Sequence, residues 1–122
     1  MPKYLLDTNS IIYAINQELS LPKAKYFVSV ITEIELLSYS KLTLQDEQTL
    51  KELLSQFISV NISECIKEKT IKIRKESKIK LPDSIIVAST ICNNATLVTS
   101  DKQLLNSNYV KALEISELIR NN

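Results

Sequence analysis

The sequence predicts an α/β fold: a three-layer α/β/α sandwich around a mainly parallel sheet of about five strands, in one domain over residues 1–122. Three observations carry this expectation. Short apolar, β-rich runs alternate with segments of helical periodicity, the order that right-handed crossovers turn into a parallel sheet covered on both faces. The first of these runs stops abruptly at an acid followed by small polar residues, as strands do where an open sheet gathers its ligands. No repeat, low-complexity tract or linker interrupts the 122 residues, so a single core is expected.

Taken in order, Lys3 to Leu6 is the first strand, ending at Asp7-Thr8-Asn9-Ser10. A helix follows from Ser10 to about Glu18, with Ile11, Ile12 and Ile15 at helical spacing and Leu21-Pro22 closing it. Lys25 to Val30 is β-rich and leads into a helix over Thr32 to Leu37 that turns Leu36 and Leu37 inward. Leu44 to Gln56 repeats leucines every three or four residues behind the capping pattern Thr43-x-x-Asp46. Ile58 to Asn61 is a short strand. Ser63 caps a helix reaching about Lys78, with Ile62, Ile66, Thr70 and Ile73 on one stripe. Pro82 suits the first turn of a helix continuing to Cys92, although Ile85-Ile86-Val87-Ala88-Ser89-Thr90-Ile91 is rich in β-branched residues and reads by propensity as a strand. Ala95 to Thr99 is a strand ending at Ser100-Asp101, Lys102 to Leu105 a short helix, Val110 to Leu113 a weak last strand, and Ser116 to Arg120 a helical tail.

Composition removes reaction classes. With no glycine, the chain has neither a phosphate-cradling P-loop nor a dinucleotide fingerprint, so no nucleotide cofactor is expected. With no histidine, Ser-His and Cys-His nucleophile pairs and most zinc sites are excluded, which leaves carboxylate chemistry. Cys65 and Cys92, 27 positions apart, read as two buried free thiols in a reducing compartment. The longest apolar run, Ile11 to Ile15, is far short of a membrane span and no leader precedes it, so a soluble, cytoplasmic protein is expected.

Four acids fall at a strand end or in the first turn of the next helix: Asp7, Glu35, Asp83 and Asp101. In a parallel sheet those places converge on one edge, and carboxylates gathered in one cleft call for a cation. Hard oxygen donors in that number suit Mg²⁺ or Mn²⁺, which can polarise a phosphoryl oxygen and activate water without any histidine. Each acid also has a purely structural reading. Asp7 and Asp101 fit helix N-caps, Thr32-x-x-Glu35 fits a capping box, and Asp83 after Pro82 complements a helix dipole. Those readings require no convergence. Glu33 lies two residues from Glu35, about 200° away on a helix, so only one of the pair can face the cleft; Ser29 and Thr32 set the register for Glu35. With the four acids set aside, 15 bases against the remaining 10 acids leave the scaffold at +5, which tolerates an anionic substrate.

Leu6-Asp7-Thr8-Asn9, Ser29-x-x-Thr32-x-x-Glu35-Leu36, Leu81-Pro82-Asp83-Ser84 through Thr90, and Leu97-Val98-Thr99-Ser100-Asp101-Lys102-Gln103-Leu104 stand in the order and approximate spacing of the PIN-domain ribonucleases. The whole chain resembles the compact, single-domain toxins of the VapC type. The resemblance implies a metal-dependent endoribonuclease in which Asp7, Glu35, Asp83 and Asp101 hold Mg²⁺ or Mn²⁺, with Asn9 and Thr99 supporting the cluster by hydrogen bonding. It further implies a small antitoxin partner and a toxin homodimer. Ser100, where such toxins often carry Arg, and Leu104, where Phe is frequent, depart from the pattern, as does the lack of glycine in the loops.

Lys67, Lys69, Lys72, Arg74, Lys75, Lys78 and Lys80 place seven bases in one segment, either for RNA phosphates or as a solvated face; the interleaved Glu64, Glu68 and Glu76 favour the solvated face. Tyr13, Leu36, Leu37 and Tyr39 could line a groove for an antitoxin helix or simply pack in the core. Two other functions compete. A phosphatase of the haloacid-dehalogenase type also has an Asp after its first strand but wants a second two residues on, where this chain has Asn9. A catalytically inactive binding module commonly lacks one or more of the acids, and here all four are present.

Overall fold

The computed structural model describes residues 1–120. Its elements in chain order are β1 (Lys3–Leu6), α1 (Thr8–Asn16), β2 (Lys25–Ser29), α2 (Val30–Leu37), α3 (Leu44–Leu54), β3 (Ile58–Val60), α4 (Glu64–Glu76), α5 (Leu81–Cys92), β4 (Thr96–Val98), α6 (Lys102–Leu105), β5 (Ala112–Leu113) and α7 (Ile115–Arg120). The five strands form one sheet in the order β3-β2-β1-β4-β5, every pair parallel. β1 is therefore central, flanked by β2 and by a β4 that arrives some ninety residues later.

Side chains alternate across a pleated strand, and the core divides accordingly. Leu5, Phe27 and Leu97 point to one face, where Ile66, Ile73, Ile85, Ile86, Val87 and Leu104 from α4, α5 and α6 cover them. Leu6, Val28 and Val98 point to the other, covered by Ile11, Ala14, Leu36, Leu50 and Leu118 from α1, α2, α3 and α7. The expected three-layer sandwich is present, and no buried side-chain nitrogen or oxygen among the described residues lacks a hydrogen-bond partner.

α5 is a helix despite its β-branched run. Seven consecutive residues, Ser84 to Thr90, are buried, so packing outweighs propensity. Ser89 Oγ and Thr90 Oγ1 donate back to the carbonyls of Ile85 and Ile86, which satisfies their hydroxyls inside the helix. Ser63 and Thr43 cap α4 and α3 as expected, their oxygens accepting from the N–H groups of Ile66 and Asp46.

Four expectations are corrected. Cys65 and Cys92 are not free thiols: they form a disulfide joining the start of α4 to the end of α5, with Cα atoms 6.3 Å apart, and Cys65 is exposed. Helical periodicity says nothing about which helix ends meet, and it was the antiparallel pairing of α4 and α5 that brought these two together. Ile62 is not on the buried stripe but half-exposed, because it precedes the cap at Ser63. α1 begins two residues before Ser10, at Thr8, with Asp7 as its cap. α2 begins at Val30 with Ser29 as its cap, so Thr32 lies inside the helix and the Thr32-x-x-Glu35 capping box does not form.

The basic segment is also partly spent on structure. Lys67 pairs with Glu64 at 3.1 Å, and the Arg74 guanidinium donates to the Ile79 carbonyl at 2.7 Å, pinning the turn into α5. Among the described residues, no helix is long and apolar enough to cross a membrane.

Candidate active site

All strands being parallel, their carboxyl ends lie along one edge, and the chain leaves the central strand β1 there at Asp7. The Asp7 N–H donates to the Val98 carbonyl at 3.1 Å, and Ser10 Oγ, buried, donates to the same carbonyl at 3.0 Å. This locks the exit of β1 onto the end of β4. Asp7 Oδ1 accepts from the Ser10 N–H at 2.9 Å and caps α1. The carboxylate therefore has a fixed orientation, with its second oxygen left for another partner.

Asp101 is built in the same way at the end of β4. Its Oδ1 accepts from the Gln103 N–H at 2.8 Å as the cap of α6, and its own N–H donates to Thr99 Oγ1 at 3.1 Å. Thr99 is fully buried, so this hydroxyl fixes the turn that presents Asp101. The cap readings of Asp7 and Asp101 are thus realised, and they orient the two carboxylates toward the same edge.

Glu35 projects from α2. Thr8 Oγ1 donates to its Oε1 at 2.7 Å and pairs hydroxyl to hydroxyl with the buried Thr32 at 3.2 Å. Since Thr8 has one hydroxyl proton and gives it to the carboxylate, Thr32 donates to Thr8. Glu33 turns away, its carboxylate accepting from the hydroxyl of Ser59 in β3.

Asp83 occupies the first turn of α5, partly buried. Its carboxyl is held above the ordinary carboxylate range, first by burial and then by the negative charges of Asp101, Asp7 and Glu35; Lys80 opposes the shift. All three of the other acids act on Asp83, which brings the four together in one electrostatic field. Neither ion pair among the described residues involves any of them. The donor set is oxygen alone, without nitrogen or sulfur, which fits Mg²⁺ or Mn²⁺. Among the described residues no three His, Cys, Asp or Glu stand close enough together to hold a metal ion, so the four are joined by their field rather than by mutual approach.

Of the two supporting residues expected, Thr99 contacts the backbone of Asp101, whereas Asn9 is exposed and makes no hydrogen bond to an acid among the described residues. Sequence reasoning missed Thr8 as the donor to Glu35. The signal was its place in Asp7-Thr8-Asn9, but its partner lies 27 residues on and no local pattern pointed there. Beside Glu35, an apolar groove of about 400 Å³ runs between α1, α2 and α3, lined by Ile12, Ile15, Leu36, Tyr39, Leu42 and Leu50. Of the four residues read as groove or core, Leu36 and Tyr39 line it, Leu37 packs against the core, and Tyr13 lines a different pocket.

The PIN domain family matches residues 4–108. Among solved structures, the fold is similar to a chain of a toxin-antitoxin complex from Klebsiella pneumoniae, at 32% identity over 88% of this chain and 94% of that one, with a TM-score of 0.74. It is also similar to a chain of VapBC2 from Rickettsia felis bound to a promoter DNA fragment, at 26% identity over 92% and 98% of the two chains and a TM-score of 0.77. VapBC-1 from nontypeable Haemophilus influenzae, at 22% identity over 93% and 98% and a TM-score of 0.77, speaks for the fold alone. No curated protein sequence matches. The family match covers the strand ends and helix starts that carry all four acids, and the chain belongs to the PIN domain family.

Proposed function

We propose that this protein is a toxin ribonuclease of the VapC type, a hydrolase that cleaves RNA phosphodiester bonds with Asp7, Glu35, Asp83 and Asp101 as its metal-holding catalytic acids. The observation that carries the reading is the PIN domain match over residues 4–108, which spans all four acids; in keeping with it, burial and the charges of the other three hold the Asp83 carboxyl above its ordinary range, a repulsion that a cation would relieve. Bound by these oxygens, Mg²⁺ or Mn²⁺ supplies Lewis-acid stabilisation of charge developing on the phosphate. The protein's own part is positioning. Thr99 and the α6 cap fix Asp101, Ser10 fixes Asp7, and Thr8 fixes Glu35. Asn9 stands at the rim of the same edge.

By analogy with the toxin-antitoxin complexes, we propose that the apolar groove between α1, α2 and α3 takes an antitoxin segment, and that two copies of the protein pair as a homodimer. We place the protein in the cytoplasm, where its RNA is, so the α4–α5 pair must withstand conditions that reduce the Cys65–Cys92 bond. The phosphatase alternative needed an acid at position 9, and membership of the PIN family leaves it without support. An inactive binding module is separated by experiment. The protein, freed of any partner, is incubated with structured and unstructured RNAs in Mg²⁺, Mn²⁺ or EDTA, beside Asp7→Asn. Asn caps helices as well as Asp does, so the variant keeps its fold. Fragments that need metal and vanish in Asp7→Asn are expected; cleavage by the variant at the wild-type rate would refute the site.

A further inference from the structure

A second pocket, of about 500 Å³, adjoins the apolar groove along α1, sharing Ile12 and Asn16 with it, and is lined on its far side by the segment entering α7. Its size is that of a small-ligand site. Asn9, two residues past Asp7, and Ser100, next to Asp101, line it, so the pocket adjoins the strand ends that carry those acids although none of the four lines it. Tyr13, 46% exposed, lines it from α1, and Glu114, the buried Ile115 and Ser116 line it from the start of α7. Among the described residues the Asn9 amide and the Glu114 carboxylate have no hydrogen-bond or ion-pair partner, unlike the acids that cap α1 and α6. An aromatic face beside unspent hydrogen-bonding side chains is the chemistry that captures an unpaired base.

We propose that this pocket receives the nucleobase adjoining the bond to be cut, with guanine preferred, an inference that rests on the ribonuclease reading of the acids. Tyr13 stacks on the base, which any base accepts. Glu114 supplies selectivity, because an ionised carboxylate only accepts. Guanine offers two adjacent donors, N1–H and the 2-amino group, that match its two oxygens. Uracil offers one N–H flanked by two carbonyls that the carboxylate repels. Asn9 and Ser100 then serve the remaining edge of the base.

Two measurements test this. In the first, wild type and Glu114→Gln cleave RNAs that differ at one position, with base preference and kcat against KM as readouts. Glu114→Gln should lose at least about tenfold of the preference for guanine over uracil, in line with the discrimination of a bidentate pair, with KM rising more than kcat falls. In the second, the cleavage-dead Asp7→Asn protein is titrated with guanosine and uridine 5′-monophosphates by NMR. Guanosine monophosphate should shift resonances of Tyr13 and Ser116 at concentrations where uridine monophosphate does not, and Glu114→Gln should erase the difference. RNA cleavage with an unchanged base preference in Glu114→Gln overturns the pocket and leaves the nuclease standing. Selective guanosine monophosphate binding by a protein that cuts no RNA does the reverse. If neither nucleotide binds, or if Tyr13→Ala changes only the protein's self-association, the pocket is a protein interface and the proposal fails.

Discussion

The disulfide between α4 and α5 sets a definite stability requirement. Cys65 is exposed whereas Cys92 packs against the core, so Cys65→Ser breaks the cross-link while leaving Cys92 as a small apolar group in place. Closing a loop over the 27-residue separation removes about 12 cal/mol/K from the unfolded chain by the chain-entropy relation, or about 3.5 kcal/mol at 25 °C. With an unfolding entropy of about 2.1 cal/mol/K per residue over 122 residues, that is a fall in Tm of about 14 °C. The assay is urea and thermal unfolding of wild type with and without reductant, beside Cys65→Ser. Reduced wild type and the variant should coincide, both well below the oxidised protein. Stabilities within about 0.5 kcal/mol of one another in all three states would refute the reasoning, as would alkylation of two thiols in the native protein without reductant.

Asp83→Asn should lose cleavage yet unfold at higher urea than wild type at pH 7 in EDTA. The folded-state pKa of Asp83 is raised, so its stabilising contribution is complete below about pH 3.8 and is lost as pH rises through the raised value; the Asn variant should lack that decline, and an unchanged slope would count against it. Thr8→Val removes the donor to Glu35 and strands the buried Thr32 hydroxyl, so it should cost about 1–2 kcal/mol and lower cleavage, with Thr8→Ser restoring both; cleavage unaffected by Val would remove Glu35's support from the mechanism. Glu18 sits at φ 51°, in the left-handed region, in a chain without glycine. Glu18→Gly should therefore stabilise by about 0.5–1 kcal/mol, measured by urea unfolding, and a loss of stability would refute the strain.

The alternation of elements was legible because both periodicities are strong here. Leu5, Phe27 and Leu97 against Leu6, Val28 and Val98 divide between two faces as a parallel sheet requires. Convergence of the acids followed from strand direction alone, and the field at Asp83 is consistent with it. α5 was readable only by setting Pro82 and segment length against its β-branched residues, since its hydroxyls find partners only once the helix exists. What local pattern could not show were pairings across the chain: Cys65 with Cys92 and Thr8 with Glu35. Cap positions moved α1 and α2 by two residues, because Asp7 and Ser29 serve as caps and leave Ser10 and Thr32 inside the helices.

The central place of β1 governs the order in which the molecule can be assembled. β1 leaves the ribosome before the other four strands, yet one of its two edges stays unpaired until β4 is made, and that pairing holds the end of β1 onto Val98. Contacts so distant in sequence are slow to close, and an unpaired inner strand is prone to misassociation meanwhile. The same delay acts as a safeguard. Asp7, Glu35 and Asp83 are all synthesised before the strand that aligns them with Asp101, so a nascent chain lacking β4 carries three acids and no assembled edge. On this plan Asp101 is set beside the end of β1 only once β4 has been made.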